Sequence, residues 1–350
     1  MAKKFRIVLY FASIILFSSF AYAETVLVLP FVNEGEKDSA WVGAGLHENV
    51  VKELNARGES VLQPQDISFA CNYLGIYTET QLNQENIRRI AELLDAEKVV
   101  ITKFSAGSGK LTVKAELFRI KEWRSVKTVN VEDLTENIFS VQSYLAQSVM
   151  SDHPVEYVPP KPVYITVWKK KQKYTYKQEN PYLLPYEWFA RGIALKTRQP
   201  SAAMDYLIRT LRYDPEHIGA LLLAAEIAHN EQGFSDGALG YLLRADKILV
   251  RRGESSSTFY SSIQVRIADI YEHKKDSVKS QIYLSRALEI WRKYRTTNRY
   301  GYAVFLCDLG IMNEEHKYLE TAADYYSMAL QEFEKERRVS VRYIWTAKKL

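Results

Sequence analysis

The sequence predicts an α+β protein: a mixed α/β sheet domain followed by an all-α helical solenoid. Three observations predict it. Over residues 25–150, short β-rich apolar runs alternate with stretches of helical periodicity. From 151 to 185 the composition shifts to proline, tyrosine and lysine. In the remainder one helix-pair pattern recurs four times. The chain of 350 residues is 47% hydrophobic and 25% charged, ordinary for two or three globular domains.

The N-terminus reads as an export signal over 1–23. Lys3, Lys4 and Arg6 precede an uncharged apolar run from Ile7 to Phe20, and Ala21-Tyr22-Ala23 is a small-residue cleavage pattern. The run is shorter than the roughly 20 residues of a membrane-spanning helix; an uncleaved anchor is the alternative. No cysteine follows the cleavage pattern, which speaks against a lipid anchor there. The formal charge of +5 falls to about +2 without the three leader cations, which is no nucleic-acid signature. The expected location is the periplasm. Cys71 and Cys307 fall in different expected domains and are read as free thiols, with a disulfide as the alternative in an exported protein.

Residues 24–150 form the first expected domain. Thr25 to Phe31 is an apolar, β-rich run that suits a buried central strand. After Asp38 and Ser39, Trp41, Val42, Leu46, Val50 and Leu54 recur at helical spacing until Gly58. "SVLQP" is a second short strand, Pro64 opens a helix to about Leu74, and another runs from about Asn83 to Asp95 with Ile87, Ile90, Leu93 and Leu94 on one face. Three strands follow at Val99–Phe104, Leu111–Ile120 and Ser125–Val131, then a helix from about Thr135 to Met150. The "GSGK" at 107–110 invites a phosphate-loop reading. That loop needs a first glycine five residues before its Gly-Lys pair and Ser or Thr after the lysine. Phe104 and Leu111 stand there instead, so the glycines are expected to close a β-hairpin.

With "VLPF", "WVGAGLHENVVKEL", "IRRIAELLDAEKVVITKF" and "ENIFSVQSYLAQ", the chain resembles the TolB N-terminal-like domain over about Val26 to Met150. Relatives of that domain occur in CsgG-type and FlgO-type envelope proteins and often precede helical repeats. The resemblance implies an envelope protein-interaction module rather than an enzyme. The Gly107 hairpin is too short for the membrane-crossing hairpins of pore-forming relatives.

Residues 151–184 read as a linker with one short strand, Val163 to Trp168, and the basic-aromatic "WKKKQKYTYK". A solvated connector is the plain reading. The alternative is weak contact of Lys169, Lys170, Lys171 and Lys173 with an anionic surface.

Residues 185–350 carry the repeat. Small residues stand at Ala203, Ala238, Ser280 and Ala322, and Thr210, Ala245, Ala287 and Ala329 follow each by seven positions. Leu207, Leu242, Leu284 and Tyr326 lie between them, with Gly192, Ala268 and Gly310 on a preceding helix. Close helix crossings require small residues at the contact and large ones beside it. The pattern resembles the tetratricopeptide repeat, with Pro215 at the family's terminal proline and Glu226 departing from its small position. Four pairs are expected, plus a further helix from "VSVRYIWTAKKL". The resemblance implies that the first helix of each pair lines a peptide-binding groove. That places Tyr186, Phe189, Ile193, Lys196, Leu223, Ile227, Asn230, Val265, Asp269, Glu272, Cys307, Ile311 and Glu314 in it, unless some contact the first domain or a neighbouring helix.

His47, His153, His217, His229, His273 and His316 form no H-x-x-x-H and pair with no cysteine at ligand spacing, and G-x-S-x-G is lacking. The expectation is therefore no catalysis, no cofactor and no metal. The expected role is an exported adaptor whose partners are other envelope proteins, not nucleic acid. Alternatives are a regulator of a cell-wall synthesis enzyme, since TolB-like folds also occur in activators of such synthases, or a component of envelope secretion or flagellar assembly.

Overall fold

The computed structural model describes residues 25–62, 64–76, 82–162, 164–169, 172–177, 180–230, 235–335 and 341–350. The leader reading, and Lys170 and Lys171, lie outside these residues. The chain is α+β: a six-stranded mixed sheet with helices, then paired helices.

In the first part β1 (Thr25–Val28), β2 (Val32–Asn33), α1 (Ala40–Ala56), β3 (Ser60–Val61), α2 (Pro64–Leu74) and α3 (Gln84–Leu93) precede β4 (Lys98–Gly107), β5 (Lys110–Arg119), β6 (Arg124–Leu134) and α4 (Ile138–Met150). The sheet order is β3-β1-β4-β5-β6, with β2 adding to β4. β1 is parallel to both β3 and β4, and β4, β5 and β6 form an antiparallel meander. All four β1 side chains are buried because α1 and α4 cover one sheet face and α2 and α3 the other. β5 is covered on one side only. Leu111, Val113, Ala115 and Leu117 point into the α1/α4 core, while Lys110, Thr112 and Lys114 are exposed. The β4–β5 loop is the two residues Ser108 and Gly109, both at positive φ (50° and 78°). That is the backbone a tight right-twisted hairpin needs. It leaves Lys110 as an exposed strand residue and no phosphate cradle in this loop.

The stretch expected to hold one strand holds two. β7 (Tyr164–Lys169) pairs antiparallel with β8 (Gln172–Lys177), Trp168 opposite Lys173. "QKYTYK" alternates Lys173, Thr175 and Lys177 with Tyr174 and Tyr176, the strand period of two that its lysine content obscures.

The helical part comprises α5 (Leu183–Leu195) with α6 (Pro200–Tyr213), α7 (Ile218–Asn230) with α8 (Ser235–Arg251), α9 (Thr258–His273) with α10 (Ser277–Tyr294), α11 (Arg299–Glu315) with α12 (Leu319–Lys335), and α13 (Val341–Lys349). The recurring small residues, from Ala203 through Ala329, are all buried. On the opposing helices, a Cβ on Gly192 would lie 2.8 Å from the Leu207 side chain and one on Gly310 2.4 Å from the Tyr326 ring. These glycines set how closely each pair approaches. Cys71 and Cys307 are not joined by a disulfide.

α12 also carries Glu332, buried among the side chains of Arg295, Arg299 and Lys335. Burial raises its pKa, but hydrogen bonds from Arg295 and Lys335 and their charges outweigh it, so the net shift is downward. A depressed folded-state pKa contributes stability above the unfolded value, 4.5, which is lost as pH falls through the folded value. In denaturant titrations from pH 7 to pH 3, Glu332→Gln should therefore lose less stability than the wild type. Identical pH profiles would exclude this carboxylate as a source of acid sensitivity.

Candidate functional site

The first helices of the pairs lie side by side, bridged near their C-terminal ends. Lys196 Nζ, just past α5, is 3.0 Å from Glu226 of α7. His229 of α7 is 3.8 Å from Asp269 of α9. His316, the C-cap of α11, donates to Asp269 at 2.8 Å, and the Tyr318 hydroxyl donates to Glu272 at 2.6 Å. Lys349 of α13 closes the row on Glu314 of α11 at 2.6 Å. α5, α7, α9, α11 and α13 therefore share one continuous face.

Its charges are held in place. Burial raises the Glu272 pKa, but hydrogen bonds from Tyr318 and Ser277 outweigh it and leave the carboxyl below its ordinary range. Hydrogen bonds from Lys349 and Tyr326 lower that of Glu314. A shallow pocket opens between α7, α8 and α9, with Glu226, His229, Arg266 and Asp269 among its walls.

Seven of the thirteen sequence-derived groove residues reach this face at least partly exposed: Ile193, Lys196, Asn230, Val265, Asp269, Ile311 and Glu314. The other six are buried. Tyr186 packs in the core of the first domain, edge-on to Trp41 and Phe139 and against Gly45. Phe189, Leu223 and Ile227 belong to the core shared by α5 to α8, because first helices must pack on both their partner and the next pair. Glu272 is closed over by Tyr318 and Ser277. Cys307 is covered by α13, its Sγ 2.9 Å from Thr346 Oγ1.

Spacing along the chain missed His229, His273 and His316 as a group. All three stand at the ends of first helices and gather around Asp269. The local signal was Asp269-x-x-x-His273, two ligand-capable side chains one helical turn apart. A search for paired histidines alone passes over it.

Among described residues no helix is long and apolar enough to cross a membrane. No curated protein sequence matches the chain. Among solved structures, the LpoB C-terminal domain from Salmonella enterica aligns at 15% identity and TM-score 0.28, covering 32% of this chain and 84% of that one. Lipoprotein GNA1162 from Neisseria meningitidis aligns at 14% identity and TM-score 0.29, covering 31% of this chain and 79% of that one. The PelC dodecamer from Paraburkholderia phytofirmans aligns at 14% identity and TM-score 0.24, covering 37% and 84%. These three carry other names than TolB or CsgG, and likeness at this level says nothing about activity. Residues 259–335, from α9 to α12, match the tetratricopeptide repeat family, a helical repeat that serves protein–protein interaction.

Proposed function

We propose that the protein is an exported envelope adaptor that captures a peptide segment of a partner protein on the face shared by α5, α7, α9 and α11. The first domain, read as TolB N-terminal-like from its sequence, is seated against the start of the repeats through α1 and α5. The observation that carries this reading is the unbroken first-helix face, which runs through the stretch matching the repeat family. It offers the partly exposed apolar side chains Ile193, Val265 and Ile311 beside the carboxylates of Asp269 and Glu314. Such a surface suits a segment with apolar anchors and basic residues, the charges orienting it and the apolar contacts supplying most affinity.

The test is crosslinking capture from the native envelope with a triple variant, Ile193→Ser, Val265→Ser and Ile311→Ser. Each anchor should contribute about 1 kcal/mol or more, so partner recovery should fall sharply while circular dichroism stays native. Undiminished recovery by the folded variant would remove the face from partner capture. Export carries its own expected outcome: the N-terminus of protein from the periplasmic fraction should be Glu24 by mass spectrometry. An intact Met1 or Ala2 in the inner membrane would mean an uncleaved anchor.

A further inference from the structure

We propose that His229, Asp269 and His273 form a binding site for a first-row transition-metal dication of the zinc class, with His316 as the residue that positions the Asp269 carboxylate. The site lies on the face of the peptide reading above and shares Asp269 with it, but its argument does not rest on that reading.

The candidate ligand atoms are gathered at one point, spread wider than in a loaded site. The candidate ligand atoms of His229, Asp269 and His273 all lie within 4.8 Å of one another. His229 Nε2 is 3.8 Å from Asp269 Oδ2, and His273 Nε2 is 3.8 Å from Oδ1. Metal–ligand bonds of about 2.0–2.1 Å at tetrahedral angles put ligand atoms roughly 3.3 Å apart. An ion would have to draw these atoms inward by rotating the partly exposed His229 and His273 side chains. Asp269 and His273 sit one turn apart on α9, so one helix presents both to the same point. His229 arrives from the end of α7.

The support for these ligands is also present. His316 Nε2 donates to Asp269 Oδ1 at 2.8 Å, and the His316 side chain is only 10% exposed, packed edge-on against the His273 ring at 4.5 Å between centroids. A hydrogen bond that fixes a ligating carboxylate is the usual second layer of a metal site. By contrast, the side chains of His229 and His273 are 37% and 52% exposed, so an ion can enter and a fourth position stays open to water or a partner's side chain. The C-terminal ends of α7, α9 and α11 converge there, and the partial negative charge of helix C-termini favours a cation.

The donor set selects the ion. Two imidazole nitrogens and one carboxylate suit zinc and its first-row neighbours, whereas calcium and magnesium require oxygen ligands. Binding needs neutral imidazoles and an ionised carboxylate, so any proton on a ligating nitrogen is released to solvent. The ion would tie α7 to α9 directly, and α11 to both through His316.

Zinc chloride titrated into tag-free protein against a chromophoric chelator, with cobalt(II) substitution read by visible absorption, tests the site. We expect one zinc per chain, a zinc-dependent rise in melting temperature and the intense visible bands of low-coordinate cobalt. His229→Ala and His273→Ala, single changes at partly exposed rings, should each abolish all three responses while circular dichroism stays native. His316→Ala should weaken zinc binding about 10- to 100-fold, and His316→Gln, which keeps a donor, should recover part of that loss. His153→Ala, at an exposed histidine of the linker, should change nothing. The proposal is overturned if zinc binds weakly and without saturation, or if stoichiometric binding survives both single ligand variants.

Discussion

Tyr186→Ala should cost about 3–5 kcal/mol, the range for emptying a buried aromatic site, and should loosen the first domain from the repeats. Tyr186 belongs to α5, yet its ring completes the core under α1 and α4, packing against Trp41 and Phe139 and filling the space that a Cβ on Gly45 would occupy. Little can move in to fill the space. Gly45 has no side chain, and Ala190, one turn along α5, has only a methyl. In calorimetry the wild type should melt with the two parts coupled, and the variant should show an earlier, separate transition. Tyr186→Phe is the control. The hydroxyl points toward Asn49 without a hydrogen bond of good geometry, so its removal should change stability by less than about 1 kcal/mol. If the alanine variant melted as one unit at the wild-type temperature, the ring would not be the joint between the two parts.

Gly310→Leu should destabilise the last pair of helices by about 3 kcal/mol or more, at the upper end of overpacking costs. Even alanine there should be unfavourable, although Ala normally gains up to about 1 kcal/mol over Gly inside a helix. A Cβ at 310 meets Tyr326 Cε1 at 2.4 Å. That ring cannot swing aside, since its hydroxyl donates to Glu314 at 2.7 Å and its edge meets Trp345 of α13. The steric cost of roughly 1–3 kcal/mol therefore wins over propensity. Gly240 of α8 is the counter-case: an added Cβ there meets nothing within 4 Å, so Gly240→Ala should stabilise by about 0.5–1 kcal/mol. Urea denaturation of the three variants checks the order. Equal stabilities for Gly310→Ala and Gly240→Ala would contradict the close crossing of α11 and α12.

Elements defined by local pattern are legible in the amino-acid sequence itself. The buried strand at Thr25–Val28, the Ser108-Gly109 hairpin and the helix pairs follow from alternation, from residues that tolerate positive φ and from small residues repeating in step. Each is a property of neighbours within one or two turns, so the chain states it directly. Side-chain burial on the first helices is a different kind of property. α7 reads "IGALLLAAEIAHN", apolar all round, so periodicity alone cannot say which of Leu223 and Ile227 faces a partner and which faces the core. Both went inside, because α7 packs against neighbours on either side. Cys307 followed once α13 lay over it, and Tyr186 once α5 met α1.

The histidine cluster shows the same division most sharply. Its members are ordinary helix-end residues in sequence, 40, 44 and 87 positions from His229 for Asp269, His273 and His316. Residue types and helix ends were written in the chain. Their convergence on one carboxylate was decided only when three helix pairs stacked, since the angle between successive pairs places those ends within hydrogen-bonding reach and no local preference encodes that angle.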